Sequence, residues 1–249
     1  MKQTLIRLML KLLLASFAIA VSAAEPKGAT YTPEEGSAAE KMGAGKWAFK
    51  PDPKLPNVLI LGDSISVGYT MVVRKLLTGK ANVFRPSINC QGTTFGVEKI
   101  DGWLAGQKWA VIHFNWGLHD LKHVKVAGKS ENSNSPTDPL QATVVQYSKN
   151  MERLVDKMKT TGAKLVFATT TPVAPGTTNP LREPEAPGKY NASAVKIMAA
   201  QGIKVNDLYG SILPHLSQLQ LPNNVHFTPE GSKVLAEQVA KAIETELEL

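Results

Sequence analysis

One cysteine, Cys90, stands in 249 residues, so no internal disulfide can form and no cluster of thiolates can hold a metal. Packing as a small apolar side chain accounts for it without a reactive role. Blocks of Lys and Arg are missing as well. The formal charge of +7 is spread along the chain, which argues against a dedicated nucleic-acid binder. Only one long apolar run occurs, Leu12 to Val21, and it is shorter than the roughly 20 residues a membrane-spanning helix needs. No Cys follows that run where a lipid could be attached, so nothing supports a lipoprotein. Internal repeats and low-complexity tracts are absent too. With 43% hydrophobic and 20% charged residues, the remainder suits one mid-sized domain with a full core.

What is present begins with Lys2, Arg7 and Lys11 around the apolar run, followed by Val21-Ser22-Ala23-Ala24. This is the three-part layout of a secretory signal, and cleavage after Ala23 or Ala24 is expected. Residues 1–23 are thus read as a signal peptide, which makes the protein exported, to the periplasm or outside the cell. Losing Lys2, Arg7 and Lys11 lowers the formal charge from +7 to +4. No stable membrane insertion is expected after that cut. Residues 24–56 are rich in Pro, Gly, Ala and Lys without sustained periodicity, and read as a loosely structured lead-in. The domain proper is placed at 57–249.

From Asn57 on, strand-like and helix-like segments alternate. Strands are expected at Val58–Leu61, Val83–Arg85, Trp109–Asn115, Leu165–Thr171 and Lys204–Asn206, with helices near Val67–Leu77, Val97–Leu104, Leu140–Lys159, Ala192–Gln201 and Pro229–Leu247. A continuous apolar strand such as Val58-Leu59-Ile60-Leu61 suits a parallel sheet covered on both faces. The expected architecture is a three-layer α/β/α sandwich around a central, mostly parallel sheet. In such sheets reactive groups gather at the carboxyl edge, where strands end and loops begin. Two connections, His123 to Pro139 and the proline-rich Pro172 to Tyr190, are longer than usual and are candidates for cleft walls.

The first strand runs into Gly62-Asp63-Ser64-Ile65-Ser66, which places Ser64 at a strand-to-helix turn. A serine there presents its hydroxyl at the sheet edge and offers a backbone N–H from a helix start. The same position also suits a plain helix N-cap. Near the other end stands Asn223-Asn224-Val225-His226-Phe227-Thr228-Pro229. Thr228 and Pro229 have the character of an N-cap and a first helical residue, so His226 lies on the loop entering the last helix. Alone, such a His is a hydrogen-bonded loop residue; paired with Ser64 it becomes a general base.

Taken together these segments resemble the SGNH hydrolases, also called GDSL esterases and lipases. Gly62 to Ser66 is similar to that family's first block, Gly92 in Asn89-Cys90-Gln91-Gly92-Thr93-Thr94 to the second, Gly117-Leu118-His119-Asp120 to the third, and Asn223 to His226 to the fifth. The resemblance spans Asn57 to the C-terminus. It implies a flavodoxin-like parallel sheet, no cofactor and no metal, and a carboxylic ester hydrolase in which Ser64 is the nucleophile and His226 the base. The N–H groups of Ser64 and Gly92 would hold the oxyanion. Short acyl groups on a carbohydrate, acetyl above all, are the expected substrate, because no long apolar cap is present to shelter a fatty tail. A small-molecule ester is the other partner expected.

Two positions depart from the family pattern. His119 stands where an Asn side chain usually completes the oxyanion hole; a ring N–H can still donate there. Asn223 stands where an Asp usually precedes the His by three residues; its amide can accept from the imidazole but cannot offset an imidazolium charge. Asn223 is therefore a candidate orienter only. These two departures also admit a catalytically weak or inactive relative that binds glycans in the inherited cleft. Asp63, Trp116 and Asp120 are candidates to line that cleft, Trp116 by stacking on a sugar. Core packing is the competing account of Trp116, and tying loops together that of Asp120.

Overall fold

The computed structural model describes residues 47–249. The signal peptide and most of the lead-in fall outside the described residues. Among these residues five strands form one sheet: β1 (Asn57–Leu61), β2 (Asn82–Phe84), β3 (Val111–Phe114), β4 (Lys164–Ala168) and β5 (Lys204–Asn206). Their order is β2-β1-β3-β4-β5 with every pair parallel. Val58 to Leu61 are completely buried, as a strand covered on both faces must be. The strand order reverses between β1 and β3, and the crevice outside their carboxyl ends is where an open α/β sheet places its ligands.

Among the described residues seven α-helices complete the layers: α1 (Ser64–Leu76), α2 (Thr93–Leu104), α3 (Val144–Lys159), α4 (Ala186–Ala200), the short α5 (Leu208–Ile212) and α6 (Leu216–Leu219), and α7 (Pro229–Leu247). α1 packs along α7, whereas α2, α3 and α4 pack in succession. Right-handed crossovers in this strand order put the first pair on one face and the second group on the other. The sandwich expected from the sequence is therefore present.

α1, α2 and α4 begin earlier than their apolar periodicity indicated, whereas α3 begins at Val144, four residues after the expected Leu140. Asp63 caps α1, its Oδ1 accepting from the Ile65 N–H at 2.9 Å, so Ser64 is the first helical residue rather than the cap. Gly92 is the cap of α2. α4 starts at Ala186, six residues before the expected Ala192, because Pro187 falls in the first turn, where a missing N–H breaks no helical hydrogen bond. α5 and α6 escaped sequence reading because each is under two turns long. For α7 the reading holds in detail: Thr228 Oγ1 accepts from the Gly231 N–H at 3.0 Å, a cap worth about 1 kcal/mol.

Residues 47–56 correct the picture of a loosely structured lead-in over its described part. Trp47 is buried and Phe49 stacks on Phe84 with ring centroids 4.9 Å apart. The Arg74 guanidinium lies 4.2 Å from the Phe49 ring centroid, and that of Arg85 lies 4.9 Å from the Trp47 ring. The Asn82 side chain donates to Asp52 O and Leu55 O and accepts from the Asp52 N–H. Two aromatic side chains and a bridging amide fasten this segment to the β2 edge, and periodicity cannot reveal contacts of that kind.

Candidate active site

The turn after β1 delivers Ser64 to the carboxyl edge of the sheet, and the loop before α7 delivers His226 to the same place. His226 Nε2 lies 2.8 Å from Ser64 Oγ, although 162 positions separate them in sequence. On its other side, His226 Nδ1 lies 2.7 Å from Asn224 Oδ1. That same oxygen accepts from the His226 backbone N–H at 3.0 Å. A backbone amide can only donate, so the Asn224 oxygen is the atom facing the ring, and Nδ1 must carry the proton. Nε2 is then left with a lone pair toward the serine hydroxyl. The hydrogen-bond chain Asn224–His226–Ser64 thus selects the tautomer that a general base requires.

The cleft in front of this pair has a volume of about 360 Å³, within the range of small-molecule sites. Its walls come from Ser64, Asn89 and His119, from the loop holding Lys122 and Asn132, from Thr177, Asn179, Pro180 and Arg182, and from Asn223 to His226. Both long connections picked out in the sequence therefore contribute walls. They are tied to each other and to the β3 turn: His123 N–H donates to Leu181 O at 2.9 Å, Leu181 N–H to Ser133 O at 2.9 Å, and Arg182 Nε to Leu118 O at 2.7 Å. A larger groove of about 710 Å³ runs between β5 and α7, with neither Ser64 nor His226 in its walls.

Electrostatics keep the imidazoles neutral. His226 is held below the usual histidine range by burial and by the Arg182 charge. His119 is pushed down to about 3 by burial first, then by Lys122, Arg182 and His226. Its Nδ1 is buried without a partner among the described residues. A buried N–H with no acceptor is rarer and costlier than a bare lone pair, which favours the hydrogen on Nε2 of this cleft-lining ring. The described residues hold no cluster of His, Cys, Asp and Glu suited to a metal.

No protein-family model matches the sequence, and no curated protein does either. Solved structures do match. An acetyl xylan esterase, AlAXEase, superposes with a TM-score of 0.62 at 14% identity, over 75% of this chain and 99% of that one. The lipase/acylhydrolase from Enterococcus faecalis gives 0.63 at 18% identity, over 76% and 96%. A protein from Slackia heliotrinireducens assigned as an SGNH hydrolase gives 0.56 at 16% identity, over 76% and 100%. The fold is that of the SGNH hydrolases.

Within the SGNH fold the loop from Asn89 to Gly92 is fastened to the turn that carries Ser64. Cys90 N–H donates to Gly62 O at 3.2 Å, and Asn89 Oδ1 accepts from the Gln91 N–H at 2.8 Å. Neither the Ser64 nor the Gly92 amide has a protein acceptor among the described residues, which leaves both free to donate, although Gly92 itself is not part of the cleft wall. A side chain at Gly92 would crowd the Asp120 carboxyl, 3.3 Å from where its Cβ would stand. At Gly117, with φ at +154°, a Cβ would fall 2.0 Å from Thr170 Oγ1, so the turn that aims His119 accepts only glycine.

Several expected positions are corrected by the site as folded. Asn223 does not orient His226. Its backbone is left-handed, φ +53°, which turns its Oδ1 toward Gly176 on the opposite loop, while Asn224 accepts from the ring instead. Asp63, Trp116 and Asp120 are 0%, 0% and 1% exposed and line no cleft. Asp63 is absorbed by its cap bond to Ile65, and burial raises its pKa to about 6. Trp116 packs on Phe114, 6.2 Å between rings, and donates to Cys90 O at 3.3 Å. Asp120 accepts from the Thr93 N–H at 2.9 Å and from its hydroxyl, anchoring the start of α2 beside Gly92; burial raises its pKa to about 7 against those bonds. Sequence reading missed Asn224, Lys122 and Arg182. Asn224 had a signal, because an Asx side chain bonding the backbone two residues on is a common turn device.

Proposed function

We propose that the chain is an exported serine esterase that removes short acyl groups, acetyl foremost, from a carbohydrate. One observation carries this reading: the 2.8 Å contact between Ser64 Oγ and a His226 Nε2 whose lone pair is enforced by Asn224. Ser64 Oγ attacks the acyl carbon while Nε2 takes its proton. The tetrahedral oxyanion is received by the Ser64 and Gly92 amides and by the His119 ring, each donor worth on the order of 3 kcal/mol. Collapse of this adduct breaks the ester C–O bond, with His226 returning the proton to the departing alkoxide. Water, deprotonated by the same imidazole, then attacks the acyl-serine and releases the acid.

The cleft walls support a short acyl group on a polar alcohol. Val225 and Pro180 are the main apolar residues there, among five asparagines and a threonine, so a fatty tail would have little apolar surface to bury while sugar hydroxyls would find amide partners. The fold shared with an acetyl xylan esterase agrees with this. Export rests on the leader sequence alone. The test is acetate release from acetylated polysaccharides and p-nitrophenyl acetate by the mature protein, with fluorophosphonate labelling of Ser64. No release from any ester, together with an unlabelled serine, would overturn the reading and leave a glycan-binding relative in its place.

A further inference from the structure

The cleft holds two cations that the ester-cleaving steps leave unused. Lys122 and Arg182 are 5% and 7% exposed, yet both contribute to the wall that faces Ser64. Lys and Arg are almost never buried so deeply without a carboxylate partner. Among the described residues, none lies within ion-pair distance of either. Lys122 Nζ is held by neutral groups, Asn132 Oδ1 at 2.7 Å and Ser130 O at 3.3 Å, and so retains one donor. Arg182 donates through Nε to Leu118 O at 2.7 Å, and no protein acceptor takes up its terminal N–H groups among the described residues. No Asp or Glu lines the cleft. The nearest acidic groups do not fill that role. Asp63 is fully buried, lines no part of the cleft and offsets Arg182 only in part, without an ion-pair contact, and Glu183, next to Arg182, turns to His123 at 3.8 Å.

The two cations reinforce one another's field. Lys122 is held below the usual lysine range by burial and by the charge of Arg182, and Arg182 is lowered to about 10 by burial, with Asp63 opposing. A pair of this kind, offset only in part by Asp63, is costly in a free enzyme and favourable once an anion arrives. Next to a general base it has a second effect. The imidazolium formed when His226 takes the Ser64 proton has only the neutral Asn224 amide beside it, so an anion on the substrate would offset charge that the protein leaves exposed.

We infer that the esterified alcohol is an acidic saccharide, whose carboxylate or sulfate is held by Lys122 and Arg182 while its acyl group meets Ser64. The inference rests on the esterase reading and names its substrate class. The donors suit either oxyanion, because guanidinium N–H groups pair with planar carboxylates and tetrahedral sulfates alike.

Singly acetylated methyl glycosides of glucose, glucuronic acid and glucose sulfate, matched in acetyl position, test it with the mature protein. The expected result is a kcat/KM about 10- to 100-fold higher on one or both acidic esters than on the neutral one, and the faster of the two identifies the oxyanion. Lys122→Gln should cut this acidic-to-neutral ratio about tenfold. Asn132→Asp, nearly isosteric, should do the same by setting a carboxylate against Lys122 Nζ, and it carries the test if Lys122→Gln does not fold. Equal kcat/KM on all three esters, or a ratio unmoved by Asn132→Asp, overturns the inference and leaves the esterase reading intact. If no ester turns over and Ser64 stays unlabelled, the esterase reading fails by itself. Affinity of the Ser64→Ala protein for methyl glucuronoside against methyl glucoside then decides the inference: a preference for the acid supports it, and equal affinity overturns it.

Discussion

The two sides of the cleft are built by different means. One side is chemical: Ser64 at the first position of α1, Gly92 capping α2, and His226 two residues ahead of the α7 cap. Each is fixed by a strand end and a helix start, where a few adjacent residues determine the backbone path. The other side, to which the proposal assigns recognition, is formed by Lys122 and by Asn132, Thr177, Asn179 and Arg182 on two long connections that hold one another by cross-loop hydrogen bonds. In the proposed reaction the first side supplies a nucleophile, a base and oxyanion donors, and the second supplies charge and amides without any reacting atom. On that proposal reaction type and substrate choice are carried by separable sets of residues, and substitutions should sort accordingly.

Ser64→Ala should be the most damaging change, lowering kcat by about 10⁴-fold or more while the acidic-saccharide affinity persists; loss of both together would break the separation. Asn224→Ala should cost roughly 10²- to 10³-fold in kcat by releasing the imidazole tautomer, whereas Asn223→Ala, whose oxygen faces Gly176, should stay within about 3-fold, near the small effects expected away from the reacting groups. Equal losses at the two asparagines, measured by steady-state kinetics, would return the orienting role to Asn223. His119→Ala should lower kcat by about 10²-fold with KM little changed; an unaltered kcat would remove the ring from the oxyanion site.

The smallest effect expected crosses from one side to the other. In the proposed reaction neutral His226 is the active form, and burial together with Arg182 holds its pKa below the ordinary value. Activity should thus fall as pH drops through that lowered pKa. Arg182→Gln removes one of the two causes, so the acid limb of the kcat/KM profile should move toward higher pH. A limb that stays in place would show that the charge of Arg182 does not reach the base.

The sequence made the chemical side legible for the reason just given: strand ends, helix caps and short block spacings are local. Ser64 and His226 could be named, and Thr228-Pro229 located His226 relative to α7. Asn223 and Asn224 could not be told apart by type, because a left-handed residue at one of two adjacent asparagines decides which side chain turns inward. Trp116 was left between cleft and core for a related reason: an aromatic at a strand end can point to either layer, and only packing against Phe114 and the Cys90 carbonyl fixes it in the core. Lys122 and Arg182 were invisible as a pair, since 60 positions of chain separate them and neither stands in a local pattern.

Trp47 and Phe49 move the domain's effective border ten residues upstream of β1. A protein shortened to begin at Asn57 would lose the ring over Arg85 and the cover on Phe84, and would strip three bonds from the Asn82 amide. Such a truncation should melt at a lower temperature than one beginning ahead of Trp47, even though every strand, helix and reacting group is retained in both.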